Sequence, residues 1–148
     1  MAWSPSEAGR QVGRWGVTYG TQVATCVRME LPHHNLVAWR RADDLFIRIH
    51  VLSRTFPPYE RYELGSQLRR AAFSVAANIV EAFGRRTSRD RKHFLQIASA
   101  SLGEVGYCVH AARRLGYVSD SAYAELETEV KHTAAPLRGL IDSFDLRE

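Results

Sequence analysis

Residues 67–86, QLRRAAFSVAANIVEAFGRR, constrain this chain more than any other stretch. At about 100° per residue on a helix, Gln67, Arg70, Ser74, Asn78 and Glu81 fall within one sector of about 80°. Leu64, Leu68, Ala72, Val75, Ile79 and Ala82 centre about 130° to one side of that row, and Phe73, Ala77 and Val80 lie on the other. A helix with two separated apolar strips has to bury both, yet a monomeric four-helix bundle offers each helix a single core. The strip of Phe73, Ala77 and Val80 therefore predicts a subunit interface. The polar row between the strips reads in two ways. As a partly buried network it must satisfy its own amides and charges, because unpaired polar groups are costly away from water. Asn78 and Glu81 then pair with Arg70 or with an arginine of a neighbouring subunit and fix the assembly geometry. As an ordinary solvated face the row needs no partner.

The rest of the chain supplies three more helices. In residues 36–53, Trp39, Ala42, Leu45, Phe46, Ile49 and Leu52 recur at steps of three and four, the helical period. Pro57 and Pro58 end that segment, since proline brings no amide proton and clashes with the preceding turn. The second helix covers about residues 64–83, with Gly84 placed to cap it at positive φ. Thr87-Ser88-Arg89-Asp90 has the spacing of a capping box. It opens a third helix whose inner positions are Phe94, Ile97, Ala98, Ser101, Leu102, Val105, Cys108, Val109, Ala112 and Leu115, closed by Gly116. Ser119 or Asp120 caps a fourth, running to about Phe144 over Tyr123, Leu126, Val130, Leu137, Leu140, Ile141 and Phe144. Pro136 predicts a kink or interruption there. No alternating strand pattern or hairpin signal competes, so the fold class is all-α, an antiparallel up-down four-helix bundle, because short connections force neighbours to run in opposite directions.

At 148 residues and 45% hydrophobic content the chain is long enough for a single core. Residues 35–148 form the bundle domain. Residues 1–34 lack any sustained period and are rich in Gly, Thr and polar groups, so they read as a poorly ordered extension. Met29 opens the patterned region, and a start there would place residues 1–28 upstream of the native protein. No apolar run is long enough to span a bilayer, and the segment from Trp15 to Val27 is too polar for a secretory leader. Cys26 and Cys108 stand far apart without metal-ligand spacing, and Cys108 falls on an apolar helix face. These features point to a reducing, cytoplasmic setting without a disulfide framework, a metal site or a cofactor.

The net charge of +4 and pI near 9.4 say less than their distribution. Between Arg69 and Lys92 seven basic residues face two acids, whereas from Asp120 to Glu148 seven acids face three basic residues. Arg85, Arg86, Arg89, Arg91 and Lys92 crowd the turn before the third helix and its first turn. Cations gain nothing from the dipole at a helix N-terminus, but exposed amides and guanidinium groups together suit a polyanion. The other reading is a solvated charged turn with Asp90 as partner.

Gln67-Leu68-Arg69-Arg70-Ala71-Ala72-x-Ser74, followed by Asn78-Ile79-x-Glu81-x-Phe83-Gly84-Arg85, resembles the signature of the bacterial four-helix-bundle proteins named for 23S rRNA intervening sequences. Relatives of that family include the accessory variability proteins of diversity-generating retroelements. Trp39 with Ala42, Phe56-Pro57 with Tyr62, and Leu115-Gly116-Tyr117 extend the likeness from about Leu36 to Phe144. Ala82 stands where the family has glycine, and Gly103-Glu104-Val105-Gly106 replaces an acidic run. Each of Gly103 and Gly106 weakens the third helix by about 1 kcal/mol relative to alanine. The resemblance implies a ring-like homopentamer with a basic surface that binds RNA or DNA and a reverse transcriptase.

The expectation is thus a non-enzymatic, homo-oligomeric bundle binding nucleic acid through Arg69, Arg85, Arg86, Arg89, Arg91 and Lys92. The second helix builds the assembly. A protein-binding accessory subunit of a reverse transcriptase is the alternative. His33, His34, His50, His110 and His132 have no metal-ligand partner at motif spacing. Arg86 and His93 loosely resemble the arginine-histidine pair of small helical ribonucleases of the HEPN type, a third reading.

Overall fold

The computed structural model describes residues 31–145, and for these four α-helices follow a short 3-10 turn at Pro32–Asn35. They are α1 (Val37–Ser53), α2 (Leu64–Gly84), α3 (Ser88–Arg114) and α4 (Asp120–Asp145), with no strand among the described residues. The expected extension up to residue 30, the alternative start at Met29, and Cys26 lie outside them. Residues 32–34, assigned from sequence to that extension, form the 3-10 turn, which packs on α1 and α2. There His33 is buried and meets the Trp39 ring at 5.0 Å. A short turn of this kind carries no helical period, which is why pattern alone passed over it.

Each helix packs against its neighbours in the chain, and α4 returns to α1. No Cα pair between the diagonal helices α1 and α3, or α2 and α4, comes within 8 Å. The core fills the space between them. Leu45, Ile49, Phe56, Leu68, Val75, Ile79, Leu95, Val105, Val109, Leu126 and Leu137 are all fully buried. The α1–α4 seam adds a polar clamp, in which Arg48 forks to Glu129 and, at 2.6 Å, to Glu125. One guanidinium thus bridges two carboxylates on successive turns of α4 through charge-assisted hydrogen bonds, which are stronger than neutral ones.

Four sequence expectations change. Gly84 remains within α2, and Arg85 ends the helix in an extended conformation (φ −82, ψ 148); the left-handed glycine among the described residues is Gly116, at φ 79. With only residues 85–87 between α2 and α3, an extended residue turns the chain sooner than a left-handed cap. Leu95 is fully buried while its neighbours Phe94 and Ile97 are half-buried, because the apolar arc of α3 is broad enough to be centred either way. Leu115 is 56% exposed, since α3 stops at Arg114 and the Gly116 turn carries the chain away. Finally, of the kink or interruption expected at Pro136, the interruption does not occur, since α4 runs unbroken through it. Thr133 and Leu137, each 1% exposed, anchor the helix on both sides of the proline, and Thr133 Oγ1 donates to the Glu129 carbonyl at 2.9 Å.

The helix starts follow their caps. Thr87 Oγ1 accepts from the Asp90 amide at 3.0 Å to open α3, and Ser119 Oγ accepts from the Ala122 amide at 3.2 Å to open α4. Each satisfies one of the orphan donors of a first turn.

Candidate nucleic-acid interface

The Thr87 cap sets the first turn of α3, and from it Arg89, Lys92, His93 and Gln96 project at i, i+3, i+4 and i+7, the spacing of one helix face. With Asp90 they wall a shallow depression. Around them the expected basic residues divide by role. Arg85 pairs with Glu81 one turn back, and its guanidinium lies 4.5 Å from the centroid of the Phe94 ring. Arg91 Nε donates to the Arg85 carbonyl at 2.8 Å. These two arginines hold the turn together. Arg86 and Arg89 are exposed and make no ion pair among the described residues. The stripe on this face consists of exposed Arg89 and His93 with half-buried Lys92 between them, and Arg86 lies beside it on the turn; the amide ends of α3 add to its positive potential.

Arg69 is not brought to this place. It sits sixteen residues before Arg85 on the same helix, about 24 Å away by helical rise. There Arg69 Nη1 donates to Ser53 Oγ and Nη2 to the Arg61 carbonyl, both at 2.9 Å. Together with Ser53, Arg54, Arg61 and Tyr62 it walls a separate cavity at the junction of α1 and α2. Arg54 and Arg61 escaped the sequence reading because they stand on an irregular connection. A count of basic residues flanking the first interhelical loop would have flagged them.

The polar row of α2 turns toward α3. Gln67 donates to Glu104, and the hydroxyls of Ser74 and Ser101 meet at 2.8 Å. Asn78 Nδ2 donates to the Ser74 carbonyl at 2.8 Å and to Ser74 Oγ at 3.0 Å. Asn78 and Glu81 thus find partners at Ser74 and Arg85, and Arg70, their expected partner, is exposed. The apolar strip on the other side is open: Phe73 is 59% and Val80 38% exposed, with Ala77 half-buried between them. The Phe46 ring of α1 lies 5.8 Å from that of Phe73, so the strip continues across the α1–α2 seam. Ile47 and Val51 add exposed apolar surface on α1.

Cys108 is buried in the core, and burial, reinforced by the charge of Glu104, raises its thiol pKa above the ordinary value. That keeps it in the unreactive thiol form. Among the described residues no group of three or more His, Cys, Asp or Glu side chains could hold a metal ion, and no helix is long and apolar enough to cross a membrane.

No curated protein matches this chain. Among solved structures it is similar to a protein of unknown function from the S23 ribosomal protein family of Bacteroides thetaiotaomicron VPI-5482, with a TM-score of 0.67 at 21% identity. The match covers 72% of this chain and 96% of that one, and it supports the helical fold alone. The model of the family described as 23S rRNA-intervening sequence protein matches residues 34–139. That span takes in all of α1, α2 and α3 and most of α4, and the chain belongs to the 23S rRNA-intervening sequence protein family.

Proposed function

We propose that this protein is a non-enzymatic, oligomeric nucleic-acid-binding bundle whose α2–α3 turn contacts phosphates and whose α2 helix builds the assembly. The observation that carries the reading is the stripe of Arg89, Lys92 and His93 at the start of α3, with Arg86 beside it and one carboxylate, Asp90, in its wall. Such a patch grips the phosphate backbone and carries no base information, so it serves RNA or DNA alike. The short connections at residues 85–87 and 115–119 favour an antiparallel up-down course. The exposed strip of Phe73, Ala77 and Val80 supplies a self-association face. A ring-like homopentamer, which the resemblance implies, would repeat the weak basic patch five times and make it avid. The cytoplasm is the setting in which such a particle would meet its ligand.

A second reading has its own support. The Phe46–Phe73 patch suits a partner protein as well as a second copy, which is what an accessory subunit of a retroelement reverse transcriptase would use. A ribonuclease of the HEPN type is less favoured, because the depression that includes His93 is walled by Arg89 and not by Arg86.

Light-scattering mass, measured with and without a short structured RNA at low and high salt, tests the proposal. The expected result is a particle several times the 16.7 kDa chain that takes up uncleaved RNA with steep salt sensitivity. Replacing Arg89 and Lys92 by alanine should lower the salt slope by about one to two phosphate contacts per subunit. A monomer indifferent to RNA would remove both halves of the proposal, and a multimer indifferent to RNA would leave the accessory-subunit reading.

A further inference from the structure

We infer that the cavity at the α1–α2 junction is a second anion site that takes the phosphate monoester of a nucleotide. Three arginines, Arg54, Arg61 and Arg69, converge on this space of about 440 Å³, and its walls hold no carboxylate. The connection carries two acids, Glu60 and Glu63, and neither lines the space; Glu60 is turned to other work. It accepts from the Tyr117 hydroxyl at 3.0 Å and from the Leu64 amide at 3.4 Å.

The arrangement is preorganised. Ser53 is fully buried and donates its hydroxyl to the His50 carbonyl at 3.0 Å, so it meets Arg69 as an acceptor. Arg69 is fixed by that contact and by the Arg61 carbonyl, while Arg61 Nε is fixed on the Phe56 carbonyl at 3.1 Å. Each guanidinium keeps further N–H donors beyond those bonds. Gly65 lets the connection and Arg69 approach the start of α2 closely. A Cβ there would come 3.0 Å from the Glu60 carbonyl oxygen and 3.3 Å from Arg69 Nη1. Three cations with no carboxylate in the lining match a dianionic monoester better than the single charge of a phosphodiester. Tyr62 forms one wall and is 82% exposed, which offers a ring face on which a base can stack. The ligand is therefore a free mononucleotide or the phosphorylated end of a strand. This site is independent of the α3 stripe at the other end of α2.

The test uses the full chain and a fluorescein-labelled single-stranded RNA with a 5′-phosphate, a 3′-phosphate or hydroxyl ends, together with AMP in calorimetry. A phosphorylated end should bind about tenfold tighter than hydroxyl ends, the effect of one added charge-assisted hydrogen bond. Arg54→Ala, an exposed position, should erase that ratio without unfolding the chain, and Tyr62→Ala should reduce it. Arg89→Ala with Lys92→Ala should weaken all strands alike and preserve it. AMP binding lost in Arg54→Ala, without a strand preference, assigns the site to mononucleotides. A wild-type ratio near one with no AMP binding overturns the inference, as does a ratio that survives in both Arg54→Ala and Arg61→Gln.

Discussion

Helix α2 carries two apolar strips of the same period and meets two different environments with them. Leu68, Val75 and Ile79 are 0% exposed on the inner side, whereas Phe73 on the outer side is 59% exposed. Between them the polar row is bonded, chiefly to α3 and to itself. The contrast teaches that periodicity identifies a face that must be covered, and that the bundle's own core covers only one. The outer strip stays exposed in the single chain.

The largest effect should come from the inner strip. Ile79→Ala removes a fully buried side chain and should cost about 2–5 kcal/mol in denaturant unfolding; a cost below about 1 kcal/mol would mean that the inner strip is loosely packed. Asn78→Ala deletes the bonds to Ser74 and should cost about 1 kcal/mol, less than the core change but measurable by the same melt. Paired substitution of Phe73→Ser and Val80→Ser should move the stability of the separated subunit by no more than about 0.5 kcal/mol. It should nevertheless lower the light-scattering mass, and an unchanged mass would divorce the outer strip from assembly. The smallest effect lies at the edge of both strips, in the turn packed on α1 and α2. Burial, then the charge of His34, lowers the His33 pKa below 6.5, so the neutral ring is the form the fold favours. Its contribution is complete above pH 6.5 and is lost as pH falls through the native pKa. An NMR titration of His33 should give a midpoint below 6.5, and one above that value would contradict the assignment.

The four helices were legible because steps of three and four residues are a backbone property that tertiary context reinforces. Thr87 and Ser119 were legible for the same local reason, since a cap needs only its own first turn. What escaped was set by contacts across the bundle. The centring of α3 on Leu95 depends on where α2 and α4 press against it, and the continuity of α4 at Pro136 depends on the burial of Thr133 and Leu137. The basic turn was visible as a charge cluster, but its division into turn-holding Arg85 and Arg91 and outward Arg89 was not, because that division rests on a carbonyl and an aromatic ring. Arg69 illustrates the same limit. Its charge grouped it with the basic turn, and its partners Ser53 and Arg61 place it at the opposite end of α2.

The Arg48 fork bears on how the protein is made. Its two ends join residues 77 and 81 positions apart, while every other helix seam links segments consecutive in the chain. During synthesis at about 5–20 residues per second, the flank of α1 destined for α4 waits about 4–16 s for its partner to be translated. Throughout that interval α1, α2 and α3 can zip together by local pairing, which is fast. The final helix then acts as the latch, so a truncation that removes it should leave a nascent chain with an apolar seam open to chaperones.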